Sequence, residues 1–73
     1  MAFYSNHSRH SAIVTIHIQS TDNPEKSFQK GVGGISEHVK ADVGFHDFIV
    51  EPGQSLTLAE NTNAALVGVR GAD

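Results

Sequence analysis

The chain has no cysteine, no tryptophan, two prolines and only five basic residues in 73. Each shortage closes a route. Without cysteine there are no disulfides and no thiolate metal sites. A domain this small buries only about 60% of the surface its unfolded form exposes, and such folds commonly rely on disulfides, a structural metal or oligomerisation. What remains is histidine ligation, a partner, or a good core. Arg9, Lys26, Lys30, Lys40 and Arg70 are scattered and outnumbered by eight acidic residues, for a net charge of −3. A surface that tracks phosphates is therefore not expected, and nucleic acid is a poor partner. No apolar run approaches the roughly 18 residues of a membrane span. The opening MAFYSNHSRHS is too polar for a secretory signal core. These absences predict a cytoplasmic protein, or one assembled in the cytoplasm into a particle. The Asn6-His7-Ser8 triplet matches a glycosylation sequon, with nothing else to argue for secretion.

What is present favours strands. Val, Ile, Leu and Phe supply 19 of 73 residues, above the roughly 20% below which chains tend to stay disordered. Seven Val and five Ile stand against three Leu and one Met, and branched side chains pack well on a pleated surface. Residues 1–10 read as an arm, aromatic at Phe3 and Tyr4 and then polar and His-rich. The single domain occupies 11–73. Its clearest strand is 11–19, with Ala12, Val14, Ile16 and Ile18 on one face and Ile13, Thr15, His17 and Gln19 on the other. Residues 20–25 are a breaker cluster, and Asp22 with Glu25 and Pro24 allows one short helical turn near 24–30. A strand or loop fits there equally well.

Gly31-Val32-Gly33-Gly34 predicts a turn. Over 35–45 a period of two explains more positions than a helix does. Ile35, Val39, Ala41, Val43 and Phe45 share a face against a polar one that includes His38 and His46. The phase slips near His46-Asp47, where a bulge would re-aim the strand. Glu51-Pro52-Gly53-Gln54 fits a type II turn, 55–59 a short strand, 60–63 a turn that uses the tolerance of Asn for left-handed backbone, and 64–70 the last strand. The pattern predicts an all-β fold, a small antiparallel sandwich or barrel of about five strands.

Five histidines are the most unusual feature. His7 and His10 form an H-x-x-H pair, and His17, His38 and His46 would have to join them in space. A structural zinc site takes about four preorganised ligands, and neither the count nor the preorganisation is visible. Solvated surface histidines are the default, and no cofactor is expected. Lys30, Gly31, Gly33 and Gly34 suggest a backbone nest for an anion. The lysine precedes the glycines and a strand pattern follows, so a plain hairpin tip is the stronger reading. There is no nucleophile elbow and no base beside a serine, which argues against an enzyme.

The reading that remains is a small β module that works by protein–protein association, a structural or accessory protein that associates with itself or with a larger assembly. Its expected contact residues are Phe3, Tyr4, Ile13, Val14, Ile16 and Ile18, from the arm and the apolar strand. Small cysteine-free β proteins of this kind resemble, as a class, the accessory or cementing proteins of virus and phage particles, although no motif carries the likeness. The alternatives are an inhibitor or binding module that caps another protein or sequesters a small ligand, and a histidine-dependent metal binder.

Overall fold

The alternation over residues 12–18 builds the centre of the fold. In the computed structural model, which describes residues 2–32 and 35–72, strand β2 (Ala12–Thr21) carries Ala12, Val14, Ile16 and Ile18 inward, with the last three fully buried. It is flanked by β5 (Gly44–Val50) and β7 (Thr62–Gly71) in a three-stranded sheet of order β5-β2-β7. The second sheet has four strands in the order β1-β6-β3-β4: β1 (Ala2–Ser5), β3 (Phe28–Val32), β4 (Ile35–Val39) and β6 (Ser55–Leu58). All pairings are antiparallel. The fold is the all-β sandwich expected, with seven strands among the described residues rather than about five.

The core lies between the two inner faces. Val14, Ile16, Ile18 and Val50 from one sheet meet Phe28 and Leu56 from the other, with Ala41 closing one side. Phe28 packs edge-to-face on Phe3, at 5.8 Å between centroids, and on Phe48, at 5.3 Å. The accessible surface is 4612 Å², close to the ~4,400 Å² that scaling predicts for a folded monomer of this mass. The chain thus closes a core of its own.

Two local outcomes differ from the sequence pattern, and a third combines alternatives that it left open. Residues 2–5, expected within an arm, form β1 and pair with β6, fifty residues away. The 24–30 segment is both helical and extended: a single 3-10 turn over Pro24–Lys26, then β3. The expected strand over 35–45 is broken between Val39 and Gly44, and its two halves belong to different sheets. The break comes before Phe45 rather than after it, at Gly44, whose φ of +127° few residues other than glycine adopt. In β5 the inward side chains are therefore the even ones, ending at Phe48 and Val50, while Phe45 and Ile49 face out.

The turns behave as their residues dictate. Gly53 has φ +83° and Gln54 N–H donates to the Glu51 carbonyl at 3.0 Å, as a type II turn requires. Asn61 takes φ +62° at the β6–β7 turn.

Candidate interaction surface

Cross-strand register defines the outward face of the three-stranded sheet. Ile49, Ile13 and Arg70 form one row; Asp47, Thr15 and Gly68 the next; Phe45, His17 and Ala65 the third. Residues directly opposite one another project from the same side. In the third row His17 stacks on Phe45, with centroids 4.4 Å apart and planes 11° from parallel. In the middle row the Thr15 hydroxyl donates to Asp47 Oδ1 at 2.5 Å. Arg70 reaches across β2, donating to Thr15 Oγ1 at 2.9 Å and to Asp47 Oδ2 at 3.3 Å. The Thr15 hydrogen bond, and after it the Arg70 guanidinium, hold the Asp47 carboxyl below the ordinary carboxylate range. The face is thus a polar strip between two apolar ends, Ile13 with Ile49 and His17 with Phe45.

The outward face of the other sheet is different. Gln29, His38, Ser55 and Thr57 occupy it, because Phe28, Leu56 and Leu58 take the inward positions. Polar residues cover this side of the sandwich, whereas the other carries the exposed Phe45 and Ile49 on either side of its polar strip.

Strand β7 adds a second apolar element. Ala64, Leu66 and Val69 lie opposite Ile18, Ile16 and Val14, so all three stand on the inner face. Yet Leu66 is 47% exposed and Val69 43%, where Ile16 and Val14 are at 0%. The four-stranded sheet does not reach over this edge. Between Thr15 and Ile16 the register shifts, leaving Val67 as the extra residue of a β-bulge, and it too is exposed.

The structure redistributes the residues singled out from the sequence. Val14, Ile16 and Ile18 are buried in the domain's own core, because the second sheet covers the face that the sequence leaves open. Phe3 and Tyr4 are half-buried against that core through β1. Of the six expected contact residues, only Ile13 lies on the outer face. Phe45 and Ile49 join it there, and Leu66, Val67 and Val69 stand exposed along the β7 edge; none of the five was expected from the sequence. The signal for the first two was Gly44, which resets the phase of β5.

The histidines are dispersed. His7 and His10 lie in the loop after β1, His17 on the outer face, His38 exposed on β4, and His46 on the inner side of β5. The His46 ring lies against Phe48 and its Nε2 is 2.7 Å from the Asp42 carbonyl oxygen. Among the described residues no three of His, Cys, Asp and Glu gather where they could hold a metal. Of the proposed anion nest, Gly33 and Gly34 lie outside the described residues. Gly31 is taken up in the β3 ladders with β4 and β6, and the Lys30 ammonium donates to the Ile49 carbonyl across the sandwich at 3.1 Å.

The sequon is structural. Asn6 is buried, and its Nδ2 donates to the carbonyls of Val50 and His10, both at 2.8 Å. Both amide hydrogens are used inside the fold.

No family model, curated protein or solved structure matches the chain. No helix among the described residues is long and apolar enough to cross a membrane.

Proposed function

We propose that the chain is a non-enzymatic association module acting through the sheet β5-β2-β7, a self-associating structural or accessory part of a larger assembly. One observation carries this reading. Among the described residues, five of the seven large apolar side chains left exposed (Phe45, Ile49, Leu66, Val67 and Val69) lie on the two edge strands of that sheet. Three of them, Leu66, Val67 and Val69, follow one another along the β7 edge, and grouped exposed apolar side chains mark interaction surfaces where single scattered ones do not.

A catalytic reading of the same face is weaker. Thr15 with Asp47 has the outline of a hydroxyl and its base. Arg70, however, donates to both, and a carboxylate held below its ordinary range is a poor proton acceptor.

Light scattering over a dilution series tests the proposal. The expected result is a mass above 7.8 kDa that falls as the protein is diluted. A mass of 7.8 kDa at every concentration overturns self-association. A module that caps a different protein would give that mass alone and rise only when its partner is added.

A further inference from the structure

We infer that the free edge of β7 pairs with β7 of a second copy, antiparallel about a two-fold axis, so that two three-stranded sheets become one of six. This rests on the association reading above and narrows it to one strand and one partner.

Natural sheets protect their edges by shortness, charge, proline or bulges. Of the four edges here, β1 has only four residues. Strand β4 exposes Glu37 and His38, and β5 is shorter than β7, at seven residues. Strand β7 runs for ten residues, TNAALVGVRG, with no proline and no charge before Arg70. That one charge is drawn away from the edge. Its guanidinium lies across β2, held by Thr15 and Asp47 on the far side of the sheet. Its remaining protection is the bulge at Val67 and a second register shift between Ile18 and Ser20, beside Ala64 and Asn63. Along the same edge Leu66 and Val69 stand on the inner face without cover. A strand docked beside β7 would shield both.

The partner is a second copy because β7 is compatible with itself. It has no charge pattern that would select a different chain. A two-fold axis at Leu66 sets Leu66 against its own counterpart, Val67 against Ala65, and Arg70 against Thr62, so no like charges meet. Ten residues at about 3.3 Å each span about 33 Å. The surface gained is one strand edge with the uncovered Leu66 and Val69, smaller than the interface of a standard stable complex, so the dimer should dissociate on dilution.

The absence of cysteine makes the test direct. Opposed Cα atoms in an antiparallel pair are about 4.5–5.5 Å apart, within the span of a disulfide. Leu66→Cys should oxidise to a covalent dimer of twice 7.8 kDa on a non-reducing gel, and Phe45→Cys on the opposite edge strand should not. Val67→Lys, at an exposed bulge position, should lower the scattering mass to that of one chain at concentrations where the unmodified chain is dimeric, with the melting temperature of dilute protein unchanged. If the chain self-associates, but Leu66→Cys stays monomeric on oxidation and Val67→Lys keeps its mass, pairing through β7 is overturned and association through the sheet stands. If the chain is monomeric throughout, both are overturned.

Discussion

The imidazole of His17 lies flat against the phenyl ring of Phe45, 4.4 Å from centroid to centroid, on a sheet face open to solvent. Phe45 is 69% exposed, while Phe28 is sealed between the sheets at 0%. The two residues should respond very differently to truncation. Phe45→Ser loses a surface stack, about 0.5–1 kcal/mol. Phe28→Ala empties the core contact between Phe3 and Phe48 and costs about 3–5 kcal/mol. One kcal/mol moves the melting temperature of a domain this size by about 4–8 °C. Calorimetry should therefore show a shift of a few degrees for the first and a near loss of the transition for the second. A large fall with Phe45→Ser would remove that ring from the proposed surface.

Asp47 gives the fold an acid-side dependence whose sign is fixed. Its carboxyl is held below the ordinary range by the Thr15 hydroxyl and then by Arg70, so its charged form is favoured in the folded chain. The resulting stability is present above the unfolded-state pKa, about 4, and disappears as pH falls through the lower folded-state value. Asp47→Asn should flatten the dependence of melting temperature on pH below about 4, and between pH 6 and 8 it should lower the melting temperature without changing its slope. Salt should weaken the effect, since the pair is exposed. An unaltered acid limb in the Asn variant would show that another carboxylate controls it.

The sequence made some of this visible and concealed the rest for identifiable reasons. The apolar alternation from Ala12 to Ile18 is local and unbroken, and it specified both the strand and its buried face. Pro52-Gly53 and Asn61 specified their turns because the backbone there demands those residues. Between Val39 and Gly44 the apolar phase continues through Ala41 and Val43 although the chain is changing sheets. Period alone therefore placed Phe45 inside. Strand β1 is four residues long and pairs with β6 at a separation of fifty, too short and too distant to leave a pattern. The exposure of Leu66 and Val69 depends on how far the opposite sheet reaches. No periodicity within β7 encodes that.

Asn6 joins two parts of the chain that are far apart in sequence. Beyond its two side-chain donations, Oδ1 accepts from Ser8 N–H at 2.9 Å. Its backbone N–H donates to the Gln54 carbonyl and its own carbonyl accepts from Gly53 N–H, both at 2.9 Å. Asn6→Ala leaves the buried Val50 carbonyl without its side-chain donor and should cost at least about 1–3 kcal/mol. Asn6→Asp should cost more, because it turns a carboxylate oxygen toward two carbonyls. Urea unfolding measures both. Equal stability of the Asp variant and the original chain would mean that the Nδ2 donations contribute nothing.

Gly44 and Gly68 separate backbone need from available space. A Cβ added at either would meet no heavy atom within 4 Å, so sterics between side chains are not in question. Gly44 has φ +127°, where an L side chain is strained. Gly44→Ala should cost about 1–3 kcal/mol and loosen the entry to β5. Gly68 lies in the β7 ladder opposite Thr15, outside that region of φ. Gly68→Ala should stabilise by about 0.4–1 kcal/mol, because the unfolded chain loses freedom that the folded one does not use. The expected thermal shifts thus have opposite signs, downward for Gly44→Ala and upward for Gly68→Ala. A fall in both would mean that β7 needs glycine at 68 for an approach that the isolated chain does not contain.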